Sequence, residues 1–298
     1  MPPNRGKIFQ TFVALFSFPL LVSCSSEDKI NFLGQTAPGE IPVIFAPELV
    51  STELDEFGCT MSPDGQELYF TRTFLDPHRH TIMVCRQGPT GWSQPEIADF
   101  SGQHPDAEPN FSPDGKRLFF GRLRLTEDNA MISEIYAMDR MAGGWQEPEY
   151  IMPGMYATIS EKDILYLTDI SQGMQVGDIV RSEYSAGQYS PPEPLDDHVN
   201  SPAQDAHPFI APDESYLIFD SNRPGGYGNN DLYVCFKNED GPWGDAINLG
   251  EPINTPAYEA IPSVSPRGEY LFFCRAGDIY WVDMKVVTKK KMESTYKD

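Results

Sequence analysis

Positive charge is scarce in this sequence. Lys and Arg number 22 against 44 Asp and Glu, for a formal net charge of −22. Such an acidic surface repels nucleic acid and anionic headgroups, so no nucleic-acid partner is expected. Catalytic signatures are also missing. There is no Gly-x-Ser-x-Gly elbow and no room for an α/β-hydrolase domain. No P-loop, dinucleotide fingerprint or Cys-x-x-Cys pair occurs. Long apolar runs are absent too. The longest, Phe12 to Val22, is broken by Ser17 and Pro19 and is too short to span a bilayer as a mature helix. The one basic cluster, Lys289-Lys290-Lys291, reads as part of a solvated tail over 286–298.

That short run suits a secretory signal instead. Arg5 and Lys7 precede it, and it ends in Leu21-Val22-Ser23-Cys24. This order resembles the bacterial lipobox, in which cleavage before the cysteine follows its lipidation. The resemblance implies a signal peptide over 1–23, lipidation at Cys24 and a tether over 24–40. Two or three acyl chains make a stable anchor where one does not. Ser25-Ser26-Glu27-Asp28 resembles the sorting signals of outer-membrane lipoproteins. The expected location is therefore the cell envelope, at the outer membrane, facing the periplasm or the surface. Cleavage would remove two cations and no acid, taking the mature chain to −24. The other cysteines, Cys59, Cys85, Cys235 and Cys274, each lie in an apolar strand segment and read as buried free thiols, with disulfides left open.

Internal repeats decide the fold. Ser-Pro-Asp-Gly or a close variant recurs at Pro63, Pro113, Pro212 and Pro266. A short aromatic strand follows each copy: Leu68-Tyr-Phe-Thr71, Leu118-Phe-Phe-Gly121, Leu217-Ile-Phe-Asp220 and Leu271-Phe-Phe-Cys274. A degenerate copy has Glu161 at the proline position and Leu165-Tyr-Leu-Thr168 after it. The steps are then 50, 48, 51 and 54 residues. Ser, Pro and Gly at these places specify a type I turn between two strands. A third strand follows, and a Gly-Trp turn, at Gly91-Trp92, Gly144-Trp145 and, with Pro between, Gly241-Pro-Trp243, leads into a short fourth. Four antiparallel strands per unit make a propeller blade.

The expected fold is therefore an all-β, five-bladed β-propeller over 41–285. The segment around Val43 would supply the last blade's fourth strand and remove the open edge. These motifs resemble the PD40, or WD40-like, repeat family, to which the TolB propeller belongs; a six-bladed, TolB-like ring is the alternative. Asp220-Ser-Asn-Arg-Pro-Gly-Gly-Tyr-Gly-Asn-Asn-Asp231 is similar to a form found in Bacteroidetes envelope proteins. The third copy lacks the turn's Pro and Gly, which puts that blade's regularity in question.

Candidate site residues follow from the repeat. Seven residues before each proline stands an acid: Glu56, Asp106, Asp205 and Glu259, with Gly154 in the third copy. If the blades are equivalent, these carboxylates sit at the mouth of the central channel. They would either cap neighbouring loops or, with His207, form a ligand or calcium site or supply acid/base groups. All five histidines fall in loops or strand starts assigned to that face. His78 and His80 could offer two nitrogens to a metal. Arg223 and Asp231 are expected to pair across the glycine-rich loop. Two functions remain: a tethered, non-catalytic module binding an envelope protein or glycan, or a glycan-active, glycoside hydrolase-like enzyme using channel carboxylates.

Overall fold

A computed structural model describes residues 32–295 apart from 75–78, 127, 129, 174–175 and 239–240. The signal segment 1–23, Cys24 and His78 lie outside the described residues.

Five antiparallel sheets follow one another along the chain. Their inner strands are Asp55–Met61, Asp106–Phe111, Met155–Ile159, Asp205–Ile210 and Glu259–Val264. The middle strands are Glu67–Thr73, Arg117–Leu125, Ile164–Asp169, Tyr216–Ser221 and Tyr270–Arg275. The third blade is a complete sheet despite its degenerate turn. Its turn closes as the others do. The N–H of Gly65, Gly115, Asp163, Glu214 or Gly268 bonds back to the carbonyl three residues earlier. All five residues have φ between 60° and 71°. Glycine suits that left-handed position, and Asp163 and Glu214 accept the strain there.

The expected ring closure is present. Val43 and Ile44 pair with Trp281 and Tyr280, so the N-terminal strand completes the fifth blade. Phe45 seals the joint: it is fully buried, with ring centroids 5.0 Å from Phe272 and 5.2 Å from Trp281. Middle strands are apolar on both faces because each blade packs against two neighbours. Leu68 and Phe70, Leu118 and Phe120, and Leu217 and Phe219 are fully buried. Each such side chain contributes roughly 1.5–3 kcal/mol.

Two expected solvated segments are docked. Phe32, within the expected tether, packs against Tyr270 at 5.0 Å and Trp281 at 5.5 Å. The expected tail is the helix Lys285–Thr295, held by buried Met284 and Val287. Lys289 pairs with Glu40, which ties helix and tether together. The four strand cysteines are buried free thiols. Among the described residues, no helix is long and apolar enough to cross a membrane.

Closure by two strand residues and one aromatic ring makes Phe45 critical. Phe45→Ala should lower the unfolding free energy by about 3–5 kcal/mol. A loss below about 1 kcal/mol in urea denaturation would mean that the N-terminal strand does not hold the ring.

Candidate functional site

The four repeat acids open the inner strands, and each is fully buried. Each pairs with an arginine of its own blade's middle strand or of the loop just after it. Glu56 meets Arg72 at 2.7 Å, Asp106 meets Arg122 at 2.7 Å and Glu259 meets Arg275 at 2.8 Å. Asp205 meets Arg223. The opposite oxygens cap the preceding loop by accepting the N–H groups of Thr52, Ser201 and Thr255; the Ser201 hydroxyl joins its N–H there, whereas the Thr52 and Thr255 hydroxyls donate to the oxygen that faces the arginine. Arg72, Arg223 and Arg275 also donate to carbonyls of that loop. The guanidinium groups stack on Phe70, Tyr136, Tyr233 and Tyr280.

A buried carboxylate needs such a partner, since desolvation alone would cost several kcal/mol. The third blade has lost both halves: Gly154 stands in the acid's place and Asp169 in the arginine's. The acids are therefore clasps within blades, and the structure does not bring them together at the channel mouth. Asp106 is the partial exception. Its Oδ2 is buried without a partner, and burial raises its pKa even though Arg122 and Ser101 pull it down.

Arg223 is used by Asp205, so the expected Arg223–Asp231 pair does not form. The Asp231 carboxylate instead accepts the N–H groups of Tyr227 and Gly228 and the Asn248 amide. Gly226 is required there, because a Cβ would meet Asp231 Oδ2 at 2.3 Å.

The axis is built by a different position, five residues before each proline. Gly58, Glu108, Tyr156, His207 and Ile261 all have positive φ, between 46° and 59°. Each sits in or beside a register shift of its inner strand. Four of their N–H groups latch onto the preceding blade. Glu108 donates to Thr71 Oγ1 at 2.8 Å, His207 to Thr168 Oγ1 at 2.9 Å and Ile261 to Asp220 Oδ1 at 3.0 Å. In the second blade Gly121 has no side chain at the corresponding place, and the Glu108 carboxylate receives Tyr156 N–H instead.

Three ionisable side chains meet on this axis. His207 Nδ1 lies 2.7 Å from Asp220 Oδ1, and its Nε2 lies 3.6 Å from Glu108 Oε1. Asn230 holds the other Asp220 oxygen at 2.8 Å. Tyr156 stands edge-on to the imidazole at 5.6 Å, and its hydroxyl reaches across to the Pro262 carbonyl. His207 thus joins the second and fourth blades, and Tyr156 joins the third and fifth. Together they stopper the channel. Burial opposes the imidazolium, but Asp220 and Glu108 outweigh it and push the His207 pKa up to about 9. Burial raises the Glu108 carboxyl; His207 pulls it back and Asp220 adds to the rise.

The other described histidines do not join this group. His80 lies 3.0 Å from the Thr73 hydroxyl and edge-on to Phe57. His198 pairs with Asp245 on the surface, and His104 lines a groove between the first two blades. Among the described residues, no three His, Cys, Asp or Glu side chains are grouped to hold a metal ion. Of the expected site residues that are described, only His207 lies on the axis. Its partners Glu108 and Asp220 were missed, although both depart from the repeat: Glu108 stands where the first blade has Gly58, and Asp220 where two blades have threonine.

The raised His207 pKa fixes a pH dependence. Its contribution is fully present below the unfolded value of 6.5 and is lost as pH rises through about 9. The linked stabilisation is on the order of 3 kcal/mol. Urea denaturation at pH 6 and pH 9.5 should therefore show a larger loss for the native protein than for His207→Gln. Equal losses would remove the charge from the axis.

No protein-family description matches the chain, and no curated protein does. Solved structures similar to it include a thermostable family-43 glycoside hydrolase, at 13% identity over 79% of this chain and 90% of that one, TM-score 0.47. A gluconolactonase from Xanthomonas campestris shares 12% identity over 83% and 95% of the two chains, TM-score 0.45. An α-L-arabinofuranosidase from Podospora anserina, solved with cellotriose, shares 11% over 82% and 97%, TM-score 0.49. At these identities and TM-scores the likeness assigns no residue a role.

Proposed function

We propose that this chain is a lipid-anchored β-propeller of the bacterial envelope, held at the outer membrane through Cys24, that binds a protein or glycan partner without chemistry on it. One observation carries the non-catalytic half. All four repeat carboxylates are buried and clasped to arginine, so none is open to a substrate. Glycoside hydrolysis needs two carboxyl groups flanking one bond. Glu108 and Asp220, the carboxylates of the axial group, hold the same imidazole from two sides. The anchoring half rests on the order of basic residues, apolar run and Cys24. Phe32 is already packed on the last blade, so eight residue steps separate Cys24 from the folded body. That is a reach of under about 29 Å.

The glycan-active alternative has one observation in its favour: Glu108 is a buried carboxyl on the axis with a raised pKa, as a general acid requires. Purified protein incubated with chromogenic arabinofuranosides and xylosides separates the two. No turnover above that of Glu108→Gln is expected, and turnover lost in that variant would establish the enzyme. Cys24→Ala should move the protein from the membrane to the soluble fraction. Unchanged fractionation would dismiss the anchor.

A further inference from the structure

The repeat turns surround the opposite end of the axis, where a pocket of about 190 Å³ is lined by all five blades. Met61, Phe111, Ile159, Phe209 and Val264 give it apolar wall beneath the four repeat prolines, interleaved with polar side chains such as Thr60, Asn110, Thr158 and Ser263. Several of its polar side chains are engaged. Thr158 Oγ1 donates to the Pro208 carbonyl and accepts Ile210 N–H. Ser263 Oγ donates to the Cys59 carbonyl, and the Asn110 amide donates to the Glu108 carbonyl. The volume falls below that of an ordinary small-molecule site and suits one inserted side chain.

Glu161 is the single charged residue of this lining. It stands where four blades have proline, and it is exposed. Its carboxylate has no hydrogen bond or ion pair among the described residues. The same side chain borders a second depression of about 430 Å³, shared with Asp114 and Asp163. Asp64 and Asp213 add exposed acids on neighbouring turns. Of the cations in these turns, Lys116 is paired with Asp114 and Lys162 with Glu214, and an exposed Arg267 stands in the fifth turn, next to Pro266. A socket with an apolar wall of five side chains thus lies beside an acidic ledge on a protein of net charge −22.

We propose that this turn-face socket docks a basic segment of a partner protein, with one apolar side chain in the axial pocket and an adjacent Lys or Arg on the ledge formed by Glu161 and Asp163. The proposal rests on the binding reading above and names its partner's chemistry. A buried apolar anchor supplies affinity, and the rim charges supply orientation and encounter rate. A second copy of this acidic chain is disfavoured on the same ground.

Panning a phage-displayed random peptide library against the full chain tests this. Enriched peptides should carry an apolar residue within two positions of Lys or Arg. Thr60→Phe, which fills the pocket, should weaken the best peptide at least tenfold, roughly the effect of losing an anchor. Glu161→Lys alters only an exposed, unpaired side chain, so it serves as the variant that folds. It should weaken the same peptide about three- to tenfold, with an unchanged melting temperature. An acidic or uncharged consensus, no enrichment, or binding indifferent to both substitutions overturns the socket. Peptides that bind elsewhere would leave the binding reading standing, whereas glycoside turnover would overturn that reading and not the socket.

Discussion

A ring of blades persists only if its ends are joined. Each blade packs on its two neighbours, so an open edge would expose the apolar faces of the first and last sheets. Here the joint is two residues of main-chain pairing, Val43 and Ile44 against Tyr280 and Trp281. Phe45, Phe32 and Trp281 close over it with aromatic surface. The docked N-terminal stretch and the C-terminal helix reinforce the same blade through Lys289 and Glu40. Both ends of the described chain are thereby committed to closure.

Within that ring, charge is handled in two ways. The clasps pair an acid with an arginine inside one blade, so each sheet satisfies its own buried carboxylate. The axial group pairs across the channel, joining blades that are not neighbours. The clasps repeat and the axial group does not. Repeated residues serve the repeat; an unrepeated, buried, ionisable group is where function or a special constraint is to be sought.

Much of the fold was legible in the sequence. The Ser-Pro-Asp-Gly turns, the aromatic strands and the missing fourth strand of the last copy gave five blades and their closure, because turn chemistry and strand periodicity are local signals. The roles of the acids were less legible. Their arginines stand sixteen residues on in three blades and eighteen in the fourth. That spacing lay in the sequence, but only strand register shows that it places the two groups side by side. Glu108 and Asp220 meet His207 through ring geometry, which no local pattern encodes. The terminal helix escaped notice because its stability comes from burying Met284 and Val287 against the last blade rather than from its own lysine-rich composition.

The third blade's irregularity has a consequence for symmetry. Five equivalent blades would present a partner with five equivalent footings around the axis, and a docked molecule could occupy any rotation. The third blade removes that degeneracy. With Glu161 in place of proline and no clasp of its own, it indexes the ring, so that a partner reading the turn face meets one distinguishable azimuth.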